Sequence, residues 1–287
     1  QCSDVRIRRE WRNLPLWQRD EYLHSVRCLK SKPSRIGLNH SLYDDFPWTH
    51  SRVGKYVHDA APFLAWHRYF VVLYEETLQN VCSYTGSMPY WDWELDWEDI
   101  TKSPIWDAEH GFGTNGRPEE SREPIVQGYC VRDGPFRDFE IPYLDETMYP
   151  HCLSRGFLAG DELGLQAQQI SPDMMDQLLA ITDYGTFNLR LENGPHLAIP
   201  RTIRGDFSLL TAPSDPVFFL HHTQLDRLWW NWQRMNGSRL TDYSGVRTHN
   251  GKEPASSFDL LLMGGLAPDI PVAEVLHTTS NRLCYIY

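Results

Sequence analysis

Two stretches constrain this chain more than any others: "APFLAWHRYFVVLYEETLQNVC", which ends at Cys82, and "APSDPVFFLHHTQLDRLWWNWQRMNG", which ends at Gly237. Both place apolar and aromatic residues at helical steps of three and four. Phe63, His67, Phe70, Tyr74 and Leu78 share one face of the first, and Phe218, His222, Leu225 and Trp229 share one stripe of the second. A helix buries its apolar face, so His67 and His222 are carried into the core. One inward histidine is ordinarily a hydrogen-bonded core residue. Several, on two matching aromatic helices, point to a metal, because neutral imidazole ligates copper, zinc or iron and helix bundles build such sites from facing helices. His50, His58 and His67 follow at spacings of eight and nine residues, and His221 stands beside His222.

The flanks agree with helices. Pro62 opens the first, Asp215 is a fitting N-cap and Pro216 a fitting first residue for the second, and Gly237 a fitting stop. A third helix is expected after Pro15, with Trp17, Tyr22, Leu23 and Val26 apolar. A fourth is expected in "SPDMMDQLLAITDYGTFNLRLE", with Ser171 as N-cap and Pro172 first. "SKPSRIGLNHSLYDDFP" reads as a loop, and residues 87–150 as a long irregular region rich in Pro, Gly, Asp and Trp. Within it "WDWELDWED" reads as core and loop packing. With no repeats and no low-complexity linker, one domain over 1–287 is expected, with its core at about 40–240 and a loop-rich segment from Leu240.

The formal net charge of −11 excludes nucleic acid, which needs clustered Lys and Arg. No basic amphipathic stretch suits an anionic membrane, and no apolar run approaches the ~18 residues of a membrane span. The chain begins at Gln1 without a signal-like core, so a signal was removed or none existed. The cysteines, at 2, 28, 82, 130, 152 and 284, form no CxxC pair. An even, dispersed set fits three disulfides, with every pairing open, and an oxidising compartment. Sequons at Asn39 and Asn236 agree with a secreted or secretory-pathway glycoprotein.

Several further pieces stand in a telling order: "REW", "YLHSVRCL", "SLYDDF" before His50, "FLAWHRYF", "MPYWDWELD", "GFGTNG", "CVRDGPF", "HCLSR", "LENGPH" and "DPVFFLHHTQLDRLWWNWQ". Spread from Arg9 to about Gly245, they resemble the tyrosinase, catechol oxidase and haemocyanin superfamily with its type 3 copper centre, closest to short secreted fungal polyphenol oxidases. The resemblance implies a mainly α fold, a four-helix bundle of the di-copper type with long loops and few short strands. It implies two coppers, each on three histidines, that bind dioxygen and oxidise phenols or catechols to o-quinones. The first copper would take His50, His58 and His67. The second would take His196 and His222, with His221 a neighbour of the site. The family's "PHxxxH" places the remaining ligand at Pro200, 22 residues before His222. Proline has no side-chain donor, and its nitrogen is locked in the amide. Nearby, Leu197 replaces a residue that is often polar and linked to phenol deprotonation. Arg204 replaces the first of two glycines, Gly205 is retained, and Phe207 would stand over the site. Glu192 would orient a water near the metal or cap a turn. Arg68, Asp226 and Arg227 would be ion-pair residues. No cysteine lies between His50 and His58, so the thioether of larger relatives is absent. No C-terminal shielding domain is expected, which leaves the site open to a small substrate.

Three readings follow. A second copper survives on His196, His222 and a substitute such as His221 or a water; one copper binds the first trio alone; or the pocket needs none. The intact first trio favours one copper, still able to act as a Lewis acid or to activate oxygen. Arg204 either faces inward, opposing Cu(II) and suiting a carboxylate or phenolate, or turns to solvent. The expected function is therefore a diverged copper oxidoreductase acting with dioxygen on a phenolic or related aromatic small molecule, with Arg204, Glu192 and His221 as catalytic candidates. Ordinary phenol or catechol turnover would be weak or altered. The rival is a non-oxidative isomerase, cyclase or binding protein that reuses the pocket.

Overall fold

The structure is a computed structural model that describes residues 2–120 and 125–287; positions 121–124 of the irregular region lie outside the described residues. The described residues form eight α-helices: α1 (Leu16–Lys30), α2 (Asp45–Val57), α3 (Pro62–Cys82), α4 (Gly160–Gln168), α5 (Pro172–Leu179), α6 (Tyr184–Leu191), α7 (Leu197–Ile203) and α8 (Val217–Arg234). The strands are short and pair only in twos. The fold is mainly α, as the motifs imply.

Capping explains the helix starts. The Ser171 hydroxyl accepts the Met174 N–H at 3.3 Å, and the Asp183 carboxylate accepts the Thr186 N–H at 2.8 Å. The second cap divides the expected fourth helix into α5 and α6. Asp215 accepts the Val217 N–H at 3.3 Å and is held by Arg155 at 2.7 and 2.8 Å. The helix α2 begins inside the end of the stretch read as a loop, at Asp45, and Pro47 falls in its first turn, where the N–H has no intrahelical partner. On α1, Tyr22, Leu23 and Val26 are buried but Trp17 is 62% exposed.

Between α6 and α7 the chain makes a π-turn over Glu192–His196. Pro195 lacks the N–H that would bond the Leu191 carbonyl four residues back, so the ladder slips by one residue. Pro200 removes the same bond from the His196 carbonyl.

The helix α3 packs against α8, α1 and α2. Tyr74 and Phe219 stack at 3.5 Å between ring centres, with Phe46 and Phe70 against them. The segment after residue 240 belongs to the same core through Leu261, Met263, Val272, Val275, Leu283 and Tyr285. Disulfides join Cys2 to Cys284, Cys28 to Cys82 and Cys130 to Cys152. The first closes a parallel pairing of Arg6–Ile7 with Tyr285–Ile286.

Below the aromatic layer lies a buried charge cluster. Asp226 of α8 binds Arg68 of α3 at 2.5 Å and Arg8 at 3.3 Å, and accepts from the Tyr285 and Tyr287 hydroxyls. Arg8 also holds Glu75 at 2.7 Å, and Arg68 lies 3.6 Å over the Trp229 ring. Burial works to raise the Asp226 pKa, but Arg68 and Arg8 overrule it and hold it below the usual carboxylate range. The stability this gives is present above the unfolded value of about 3.9 and lost as pH falls through the folded one. Replacing Asp226→Asn takes the paired carboxylate from the buried Arg68 guanidinium and leaves Arg8 with Glu75 alone. It should remove about 3–5 kcal/mol and flatten the acid limb of stability below about pH 4. Urea unfolding across pH checks both; a loss under about 1 kcal/mol refutes the assignment.

Candidate metal centre

His50 lies in α2, His58 just after it and His67 in α3. Their ring centres form a near-equilateral triangle with edges of 5.2, 5.1 and 5.3 Å. Each gives one face of its ring to the backbone. His50 Nδ1 meets the Leu210 carbonyl at 2.5 Å, and His58 Nδ1 and His67 Nδ1 meet the Gly54 and Phe63 carbonyls, both at 2.7 Å. A carbonyl only accepts, so each Nδ1 carries the proton and each Nε2 is left with a bare lone pair. A β-carbon at Gly54 would lie 3.3 Å from the His58 ring, so glycine lets that ring fold back over α2. His50 Nε2 and His67 Nε2 stand 3.1 Å apart. Two lone pairs at that distance repel unless a cation or a proton lies between them. Nitrogens about 2.0 Å from a single ion stand roughly 3.3 Å apart in a tetrahedral arrangement, so the trio fits a metal.

Protons do not compete for this trio. Burial first, then neighbouring imidazoles, depress the pKa values, with His50 lowered to about 3 and His67 well below its usual range. Neutral imidazole is the form that binds metal.

A second trio faces the first. His196 closes the π-turn and His221 and His222 lie in α8; one ring nitrogen from each lies within 4.8 Å of the others. The His222 ring stacks on His67 at 4.3 Å, and neither His222 nitrogen has a hydrogen-bond partner. His196 Nδ1 meets the Glu192 carbonyl at 3.2 Å, which leaves its Nε2 bare. The His221 Nδ1 is instead met by the indole N–H of Trp93 at 3.2 Å. Trp93 belongs to "WDWELDWED", read above as packing; nothing in its spacing shows that contact.

Both trios border one cavity of about 270 Å³, with Leu197, Pro200, Phe207 and Phe218 among its apolar walls and Asp59, Glu192 and Asn193 among its polar ones. Glu192 Oε1 accepts the Asp59 N–H at 2.8 Å, while the buried Oε2 has no partner. Burial pushes the Glu192 pKa up to about 9, so it presents a neutral acid at neutral pH.

The central domain of tyrosinase matches residues 40–235. This chain belongs to the tyrosinase family. It is 42% identical over 306 residues to tyrosinase-like protein phomQ1 of Diaporthe leptostromiformis, covering all of this chain and 78% of that one. It is 38% identical over 288 residues to tyrosinase ustQ of Aspergillus flavus, covering all of this chain and 80% of that one. A solved point mutant of the polyphenol oxidase from Thermothelomyces thermophila superimposes with a TM-score of 0.86 at 31% identity, covering 99% of this chain and 88% of that one.

Pro200 and Leu197 wall the cavity without offering a donor. Arg204, a catalytic candidate from sequence, is not at the site: its guanidinium turns to the surface and pairs with Glu162 at 3.2 Å. Its backbone takes a conformation ordinarily reserved for glycine, with φ 59° and ψ −158°. Gly205 could not be replaced in this way, since a β-carbon there would meet the Ser154 carbonyl oxygen at 2.1 Å. A non-glycine residue in such a conformation costs on the order of 1–3 kcal/mol. An Arg204→Gly variant should melt about 2–4 °C higher, with unchanged metal content, by calorimetry and elemental analysis; a lower melting point contradicts the strain.

His151 and Asp206 hold the turn that carries Phe207. His151 Nε2 meets Asp206 at 2.7 Å and its Nδ1 meets the Tyr149 carbonyl at 2.5 Å. Both partners accept, so both ring nitrogens carry protons. Burial works to lower the His151 pKa, but Asp206 and that carbonyl overrule it and raise it. The stabilisation is full below about pH 6.5 and lost as pH rises through the higher folded value. Melting temperature should therefore fall between about pH 6.5 and 9 more steeply in the native protein than in His151→Gln; parallel curves rule the clamp out. "HCLSR" carried His151 into the family resemblance, but its contact with Asp206 depends on the fold.

Proposed function

We propose that this protein is a diverged copper-dependent oxidoreductase of the tyrosinase family, with one copper on His50, His58 and His67, that acts with dioxygen on a phenolic or related aromatic small molecule. The observation that carries the reading is the first trio: three neutral imidazoles, His50 and His67 buried and His58 half-buried, with every Nδ1 committed and every Nε2 bare. A copper held there would supply a Lewis acid and a one-electron redox centre. The four helices of the family's bundle correspond to α2, α3, the α6–α7 pair and α8.

The remaining walls bind and orient. A dry apolar cavity of about 150 Å³ takes up a benzene, so a cavity of about 270 Å³ has room for a substituted ring. Phe207 and Phe218 offer it aromatic contact, and Leu197 excludes water where many relatives place a polar group. Glu192, neutral and with one oxygen free, can hold or pass a proton at the cavity wall. No lysine or arginine is among the lining residues. Three disulfides support passage through an oxidising, secretory compartment, and no helix among the described residues is long and apolar enough to cross a membrane.

Pro200 is the expected reason for weak turnover of ordinary catechols. The Pro200→His variant should bind one more copper than the native chain and oxidise catechol to o-quinone at least tenfold faster, read by elemental analysis and visible absorbance. No gain in either means that Pro200 does not limit the site. Full turnover of the native substrate after exhaustive chelation would instead establish the non-oxidative rival.

A further inference from the structure

The histidine beside the missing ligand holds its ring the other way round from its neighbours. His50, His58, His67 and His196 each give Nδ1–H to a backbone carbonyl and leave Nε2 bare. His221 instead receives: the Trp93 indole nitrogen lies 3.2 Å from its Nδ1. An indole N–H only donates, so His221 Nδ1 must accept, and a neutral imidazole then carries its proton on Nε2. That Nε2 is buried and has no hydrogen-bond partner, and His221 lines the cavity.

Pro200 contributes a second observation. It is both the residue that replaced a ligand and the residue that denies the His196 carbonyl its α-helical donor. To ligate through Nε2, His221 would have to surrender the Trp93 hydrogen bond or lose its last ring proton.

We infer that His221 is a hydrogen-bond donor, set in that role by Trp93, and that the trio His196, His221 and His222 receives the hydroxyl of a phenol instead of a second copper. The bare Nε2 of His196 would accept the phenol O–H, and the His221 Nε2–H would donate to its oxygen. Trp93 is a positioning residue, since it acts only through His221. The inference rests on the proposed function in one respect, that copper occupies the first trio.

Nitrogen NMR of histidine-labelled, metal-free protein reads the ring directly. His221 should show a bare Nδ1 and a protonated Nε2, and the reverse overturns the inference whatever copper does. Adding phenol to the metal-free protein should move the His221 Nε2–H resonance, and toluene, similar in shape, should not; equal shifts overturn the phenol assignment. Copper-loaded native protein should hold one ion per chain with the resonance signal of an isolated Cu(II). Two ions with a silent spectrum overturn the inference, whereas no bound copper overturns the proposed function and leaves the tautomer measurement standing. In Trp93→Phe the Nδ1 partner is gone, so His221 should lose its single tautomer and the second copper should bind at least tenfold tighter. A folded variant with unchanged tautomer and affinity removes Trp93 from the role.

Discussion

The bond between Asp226 and Arg68 carries the rest of the structure. Arg68 follows His67 on α3, and Asp226 lies one helical turn beyond His222 on α8. Joining them sets the register of two helices that packing alone could let slide. With that register held, the His67 and His222 rings stack at 4.3 Å, and the two trios face one another across a single cavity. A fully buried ion pair is a poor source of net stability, because dehydrating both charges offsets most of their attraction. Here the neighbours repair the balance: Arg8 and two tyrosine hydroxyls complete Asp226, and backbone carbonyls and Gln233 complete Arg68.

The same logic of complete partnering runs through the pocket with an opposite aim. Around the charge cluster the Asp226 and Glu75 carboxylates are fully partnered, and of the Arg8 guanidinium the Nε is left without a partner. Around the trios the backbone partners one nitrogen of most rings and leaves the other bare. Those four imidazoles are thereby fixed in angle and in tautomer before any ligand arrives, so little has to move on binding. The π-turn contributes to this: Pro195 forces the ladder to slip, and the slip delivers His196 to the pocket wall with Glu192 beside it.

Most of the helical frame was legible in the sequence, because helix periodicity is a local property. His67 and His222 could be placed inward by counting along their stripes, and the cap residues at Ser171 and Asp215 could be read directly. The family pattern pointed to His50, His58 and His196, which the structure brings into the two trios. What stayed hidden was contact across long separations. Arg8 and Glu75 meet over 67 positions and Trp93 and His221 over 128, and no local spacing encodes either. Arg204 was read by its charge, whereas the fold turns that charge to the surface, against Glu162. The helix α2 overlaps the stretch read as a loop only at residues 45–47, its first turn.

The tyrosine hydroxyls on Asp226 also impose an order on biogenesis. Tyr285 and Tyr287 follow Asp226 by 59 and 61 positions. During synthesis α8 therefore emerges long before the groups that complete its central carboxylate exist. Long-range contacts of this kind are slow to form, and until they do, Asp226 is only partly compensated and α3 and α8 lack a firm register. The imidazoles of a nascent chain are present but not yet converged. The ring positions that α3 and α8 set thus depend on a segment made some sixty residues later, so a chain cut short before Tyr285 would carry every imidazole and lack the contacts that hold them in register.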